Sequence, residues 1–190
     1  MTRVIAGSAG GRRLAVPYGG RTRPTSDRVR EALFSAAEAL RGPLVGARVL
    51  DLYAGTGAVG LEALSRGAAY ALLVEADAEV LGTLRANVRA LGLPGARIAA
   101  EKVERLLSTA PQEPAYHVVF ADPPYALAET AVEAVLASLV EQGWLRPDAL
   151  VVVERSSRAA PLPWPAGLEP VRHRRYGEGT LWYGRRAASM

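Results

Sequence analysis

The sequence predicts an α/β fold, a doubly wound sheet of seven strands preceded by a small basic β-hairpin, and three observations carry that reading. From Val49 onward, strand-like apolar stretches alternate with helix-period stretches, the pattern of βαβ units. His117-Val118-Val119-Phe120-Ala121 and Leu150-Val151-Val152-Val153-Glu154 are almost continuously apolar, as parallel strands covered on both faces must be. The glycine-rich turn Gly55-Thr56-Gly57-Ala58-Val59-Gly60 joins the strand Arg48-Val49-Leu50-Asp51-Leu52 directly to a helix beginning near Ala58. With 190 residues there is room for one three-layer core. We divide the chain into a hairpin and loop at residues 1–24 and a main domain at 25–190.

Arg3-Val4-Ile5-Ala6-Gly7 and Arg12-Arg13-Leu14-Ala15-Val16 are β-prone and separated by Ser8-Ala9-Gly10-Gly11, which predicts a hairpin. Pro17 to Pro24 has the glycines, arginines and tyrosine of a basic loop. Thr25 or Ser26 caps a helix whose apolar stripe is Val29, Leu33, Ala36, Ala37 and Leu40, with Arg28, Glu31, Ser35 and Glu38 turned away, and Gly42-Pro43 ends it. Tyr70 to Glu75 is the second strand of the main sheet. A helix from Ala78 to Leu91, a third strand from Ala96 to Ala100 and a short helix from Val103 to Leu107 follow. After the fourth strand, a helix runs from Glu129 to Gln142; after the fifth, Leu168 to Arg175 and Thr180 to Gly184 form the two last strands, paired antiparallel.

Composition narrows the chemistry. There is no cysteine, which excludes disulfides, thiolate catalysis and cysteine-ligated zinc, and two histidines, His117 and His173, are too few for a histidine cage. No apolar run reaches the roughly eighteen residues of a membrane span, and the N-terminus lacks a secretory signal, so a cytoplasmic protein is expected. Residues 1–30 carry seven arginines against one acid, residues 31–170 eleven bases against seventeen acids, and residues 171–190 five against one. Basic ends around an acidic middle suit a polyanion gripped at the periphery and a ligand held elsewhere.

Two ligand classes compete for the glycine turn, because G-x-G-x-x-G also describes the loop that holds a dinucleotide pyrophosphate at a helix N-terminus. Asp51 discriminates between them: a fixed carboxylate at the strand tip repels a pyrophosphate and attracts an ammonium group. S-adenosylmethionine offers an α-amino group and a sulfonium and has no phosphate. Ligands of open α/β sheets lie beyond the carboxyl ends of the strands. The candidate cofactor residues are therefore Asp51, Tyr53, Ala54, Gly55 and Gly57 at the first tip, Glu75 and Ala76 at the second, Glu101 and Lys102 at the third, and Asp122 at the fourth. Glu75, about twenty residues past the glycines, can accept both ribose hydroxyls. Glu101 and Lys102 are either the adenine-edge contact or solvated loop charges.

Asp122-Pro123-Pro124-Tyr125 supplies the candidate catalytic residues. Two prolines after a buried strand remove two amide donors and stiffen the backbone, leaving carbonyl acceptors free. An exocyclic amine on a purine is a weak nucleophile because its lone pair is delocalised. Acceptors on its hydrogens, the Asp122 carboxylate and the Pro123 carbonyl, favour pyramidalisation, and Tyr125 offers a stacking face for the extracted base.

With these motifs in view, the chain resembles the RsmD family of bacterial 16S rRNA guanine-N2 methyltransferases over almost its whole length. The resemblance rests on Arg3 to Gly7, Gly11 to Leu14, the run Arg23-Pro24-Thr25-Ser26-Asp27-Arg28-Val29-Arg30-Glu31-Ala32-Leu33-Phe34, Asp51 to Gly57, Leu61 to Gly67 and Asp122 to Tyr125. The glycine loop and proline pair occur in many class I methyltransferases; the Arg23 to Phe34 run is far more specific. Lys102-Val103 departs from the acidic or amide residue followed by alanine that the family has after strand three.

The resemblance implies a Rossmann-like class I methyltransferase that uses S-adenosylmethionine and modifies 16S rRNA within an assembled or assembling 30S subunit. A monomer without a metal and without a membrane partner is expected. Arg3, Arg12, Arg13, Arg21, Arg23, Arg28, Arg174 and Arg175 are the candidate RNA contacts, fixing register on phosphates. Rival readings are an adenine-N6 methyltransferase, a glutamine-N5 protein methylase, a nicotinamide-dependent oxidoreductase and a basic RNA-binding module without catalysis.

Overall fold

The computed structural model describes residues 2–19 and 25–188. Its elements are β1 (Thr2–Arg3), β2 (Arg13–Leu14), α1 (Asp27–Arg41), β3 (Arg48–Leu52), α2 (Ala58–Ser65), β4 (Tyr70–Val74), α3 (Ala78–Leu91), β5 (Ala96–Ala99), α4 (Val103–Leu106), β6 (Tyr116–Ala121), α5 (Glu129–Glu141), β7 (Leu145–Ser156), β8 (Leu168–Tyr176) and β9 (Gly179–Arg186). The main sheet has the order β5-β4-β3-β6-β7-β9-β8. β3 to β7 run parallel, while β9 is antiparallel to both β7 and β8. The order reverses between β3 and β6, so a crevice opens at their carboxyl ends. The register pairs Asp51 with Phe120 and Leu52 with Ala121, which sets Asp51 and Asp122 side by side at that crevice.

Side-chain alternation assigns the two faces. Val49 packs with α1, α2 and α3 through Phe34, Ala37, Leu61 and Leu84, whereas Leu50 and Leu52 pack with α4 and α5 through Val103, Val132 and Leu136. Asp51 shares the parity of Val49 and so points toward α2. Ser26 caps α1 by accepting from the Val29 amide at 3.2 Å, and Asp77 caps α3 by accepting from Glu79 and Val80. No helix among the described residues is long and apolar enough to cross a membrane.

Two expected extents change. The hairpin ladder pairs only Thr2–Arg3 with Arg13–Leu14; Val4 still bonds across to Arg12 and Gly11, but the Ile5 and Ala6 amides turn away and donate to the Glu62 carboxylate at 2.7 and 3.0 Å. The last parallel strand is longer than Leu150–Glu154, since β9 pairs with it out to Ser156 and Leu145 already pairs with Tyr116 before a register shift.

The hairpin is packed into the main core, where Val4, Ala9 and Leu14 are buried. Arg30, on the helix α1, is also fully buried, a position no apolar periodicity picks out.

Candidate active site at the strand tips

Asp51 is buried, and its Oδ2 accepts from the Gly60 amide at 2.9 Å, the first turn of α2 meeting the tip of β3. A Cβ on Gly60 would lie 2.3 Å from Leu73 and 3.0 Å from Asp51 Oδ2, so only glycine permits this approach. Burial raises the Asp51 carboxyl to about 7, the Gly60 hydrogen bond opposing and the nearby Glu75 charge adding to the rise. The chain then turns through Tyr53 with φ 59° and Gly55 with φ 58°. Nothing lies within 4 Å of a Cβ built on Gly55, so open space faces the turn there.

Glu75 is locked beside that turn. Its Oε2 accepts from Gly55 at 2.9 Å and its Oε1 accepts from Ala76 at 2.9 Å and Asp77 at 3.0 Å. Tyr53 donates its hydroxyl to Glu104 at 3.1 Å; burial first, then the Glu104 charge, raises its pKa.

Asp122 enters the same small cavity as Asp51, with Thr25, Val59 and Glu154 around it and Phe120 beneath. Asp122 keeps solvent contact although protein atoms crowd its carboxyl closely. That surrounding protein governs ionisation: lost hydration raises the carboxyl well above the carboxylate range, the charges of Glu154 and Asp51 add to this, and Arg155 opposes it. Pro123 is buried, and its carbonyl takes no hydrogen bond from the described residues. Pro124 offers its carbonyl to Leu127 at 2.9 Å and to Arg155 at 3.1 Å, and Tyr125 is exposed.

The structure thus brings together Asp51, Tyr53, Ala54, Gly55, Gly57, Glu75, Ala76 and the Asp122–Tyr125 turn at one end of the sheet. Glu101 and Lys102 follow β5 at the same end of the sheet, beside β4, and like Glu75 they lie outside the small cavity of Asp51 and Asp122. Glu101 faces Arg105 at 3.9 Å and borders a groove of about 440 Å3 with Tyr70, Tyr116 and Trp144, and Lys102 is exposed.

Among the candidate RNA contacts, Arg13, Arg28, Arg174 and Arg175 are exposed, and Arg3 pairs with Asp27 at 3.0 Å while staying largely accessible. Arg12 is exposed too, and it also donates to the carbonyls of Ala90 and Leu91, so its charge closes the C-terminal end of α3. Arg21 and Arg23 lie outside the described residues. The hairpin packs on α2 and α3, and β8, carrying Arg172, Arg174 and Arg175, forms one edge of the main sheet.

Sequence reasoning missed Thr25, Glu154 and Arg155. The rule that selected Asp51, Glu75 and Asp122, the residue just past an apolar strand, also selects Glu154. Thr25 had no such signal, because only the packing of α1 across the sheet brings its N-terminal approach to the crevice.

Comparison with known proteins agrees with this arrangement. A family model described as "Conserved hypothetical protein 95" matches residues 2–185. Ribosomal RNA small subunit methyltransferase D of Escherichia coli is 41% identical over 152 residues, covering 80% of this chain and 73% of that protein. YlbH of Bacillus subtilis is 37% identical, covering 92% of this chain and 94% of its own. The solved structure of the Escherichia coli protein yhhF aligns with a TM-score of 0.84 at 36% identity, covering 99% of both chains. The fold is the Rossmann-like class I methyltransferase fold, and the chain belongs to the RsmD family of methyltransferases, the family that this model describes.

Proposed function

We propose that this protein, an S-adenosylmethionine-dependent rRNA methyltransferase, methylates the exocyclic N2 of one guanine in small-subunit rRNA, acting as a cytoplasmic monomer on an assembled or assembling 30S subunit. The observation that carries the reading is the set of carboxylates Asp51, Asp122 and Glu154 converging on one crevice at the point where the strand order reverses. Such a set repels a pyrophosphate and welcomes an ammonium and an amine. The open space at Gly55 beside a fixed Glu75 fits a ribose near the turn.

S-adenosylmethionine supplies an electrophilic methyl group on a sulfonium. Asp51 would hold its ammonium, Glu75 its ribose hydroxyls and the Tyr53–Gly57 backbone its body; Glu101 and Lys102 remain the proposed adenine-side residues, reached from the Glu75 side of the crevice. Asp122 and the Pro123 carbonyl accept hydrogen bonds from the two amine hydrogens, which turns the nitrogen lone pair outward for attack. Alignment supplies most of the rate, and Asp122 or water takes the released proton. Tyr125, exposed beside the turn, stacks on the extracted base, worth about 1–3 kcal/mol. The hairpin arginines Arg3 and Arg13, with Arg28, Arg174, Arg175 and the loop arginines Arg21 and Arg23, hold phosphates. Residues 1–24 act as the RNA-contact extension of the 25–190 methyltransferase domain.

The test is incubation with labelled cofactor and either small subunits or naked 16S rRNA, followed by nucleoside analysis. Label in N2-methylguanosine is expected; label only in N6-methyladenosine would defeat the guanine assignment.

Asp51 gives a pH prediction. In the free protein its carboxyl titrates near 7, so below that pH it must lose a proton before it can pair with a cationic amino group. Cofactor affinity therefore rises by about tenfold per unit as pH increases toward 7, then levels off. The sign is opposite for folding: a raised carboxyl stabilises the free protein fully below its ordinary value, and that contribution is lost as pH climbs through 7. Calorimetric titration of S-adenosylhomocysteine between pH 5.5 and 7 in two buffers should show proton release, and Asp51→Asn should flatten the slope. An Asn variant with the wild-type slope would remove Asp51 from the ammonium site.

A further inference from the structure

We infer that Arg155 is a positioning residue for methyl transfer: it fastens the Asp122–Leu127 turn to the sheet and offsets part of the negative charge around the Asp122 carboxyl that receives the target amine. The inference rests on the methyl-transfer reading above. Arg155 stands on β7 one residue past Glu154, and its side chain is buried. Its two terminal nitrogens reach across to the turn, Nη1 donating to the Pro124 carbonyl at 3.1 Å and Nη2 to the Leu127 carbonyl at 2.9 Å. Those carbonyls bracket Tyr125 and Ala126, residues that belong to no helix or strand.

Apart from the packing of Pro123 and Leu127, the turn's backbone amides tie it only weakly to the sheet among the described residues. Pro123 and Pro124 lack amide hydrogens, and the Asp122 amide reaches the Leu52 carbonyl only at 3.4 Å. The Leu127 amide bonds back to Pro124 and so closes the turn on itself without tying it to the sheet. A guanidinium is suited to the remaining task, because its planar fork presents two N–H donors in fixed relation, which the single ammonium of lysine cannot do.

The same cation answers the charge problem of the crevice. The described charged groups acting on Asp122 are Asp51 from β3, Glu154 from β7 and Arg155; the first two push it toward the protonated acid, and Arg155 alone among them pulls it back. A protonated Asp122 has one oxygen committed as a donor and is a poorer acceptor for an amine hydrogen. Arg155 therefore serves geometry through its fork and ionisation through its charge, and the two can be separated by substitution.

The experiment compares wild type, Arg155→Gln and Arg155→Lys in single-turnover methyl transfer to small subunits at saturating cofactor across pH, with calorimetric binding of S-adenosylhomocysteine. In the Gln variant, turnover should fall about a hundredfold and the acid limb of the rate profile should move to higher pH by roughly one unit, while cofactor affinity stays within about twofold. The Lys variant should keep the limb near its wild-type position yet lose about tenfold in rate, because one carbonyl loses its donor. An unmoved acid limb in the Gln variant, or full wild-type turnover in the Lys variant, would overturn the inference. So would equal loss of cofactor binding and of rate in both, which is the signature of a merely structural arginine. Wild-type protein that forms no N2-methylguanosine would instead defeat the parent reading.

Discussion

Asp122→Ala is expected to abolish most methyl transfer while leaving the protein folded and able to bind its cofactor. The carboxylate stands at the switch point between β3 and β6, within the same cavity as Asp51 and Glu154. Its removal takes away one of the two acceptors proposed to reshape the amine and leaves the Pro123 carbonyl alone. A positioned acid–base group contributes about 10²–10⁴ in rate, or roughly 3–5 kcal/mol in activation free energy, so turnover should fall by that factor. Folding should tolerate the change, because Asp122 repels its two carboxylate neighbours and alanine removes a charge that the crevice disfavours. Single-turnover rates and S-adenosylhomocysteine titration check both halves. A variant that retains wild-type turnover would exclude Asp122 from the chemistry; one that loses cofactor binding in step with rate would make it a cofactor residue only.

Most of the sheet was legible because its elements obey one signal each. β6 is continuously apolar, α3 has both its Asp77 cap and its terminal Gly92, and the glycine turn can open only into a helix. The tip acids Asp51, Glu75 and Asp122 were equally readable, since a carboxylate ending an apolar strand has few structural uses. What escaped was whatever depends on two distant segments meeting. Arg30 looks like a surface residue of an amphipathic helix, and only the meeting of α1 with the hairpin and α2 buries it. Arg12 reads as one more basic hairpin residue until α3 presents its unpaired carbonyls. The Arg155 contact likewise needs the fold, because the proline turn it holds lies 28–31 residues away. Charge counting, by treating every arginine alike, identifies the basic regions but cannot separate arginines facing solvent from those holding the protein together.

Those structural arginines set the second large expectation, that Glu62→Ala destabilises the fold by about 4 kcal/mol. Glu62 is fully buried and accepts from three donors, the Ile5 and Ala6 amides at 2.7 and 3.0 Å and Arg66 Nε at 3.1 Å, and it forms an ion pair with Arg30 Nε at 3.6 Å. Arg30 is itself without solvent contact, burial lowers its pKa, and its remaining supports are the Arg3 carbonyl and Asp27. Alanine at 62 leaves that guanidinium buried with Asp27 as its one close counter-charge among the described residues, and truncating one side of a buried pair costs about 3–5 kcal/mol. For a chain of this length the melting temperature should fall by roughly 8–16 °C. The loss should be felt first in the hairpin, whose amides at Ile5 and Ala6 end there, so hydrogen exchange at those positions should accelerate before exchange in β3 or β6. Replacing both partners, Arg30→Met with Glu62→Leu, should recover part of the stability, since neither member of the buried pair is then left charged and alone, while the Ile5 and Ala6 amides still lose their acceptor. A Glu62→Ala protein that melts within about 2 °C of wild type would show that the hairpin is held by its other contacts, Val4 and Leu14 in the core and the hydrogen bonds to Ser65 and Asn87. If the variant instead melts early and hairpin exchange leads, the proposed RNA-contact arginines Arg3 and Arg13 are carried on an arm that this buried carboxylate helps to anchor. RNA affinity should then fall in the single variant even at temperatures where the methyltransferase sheet stays intact.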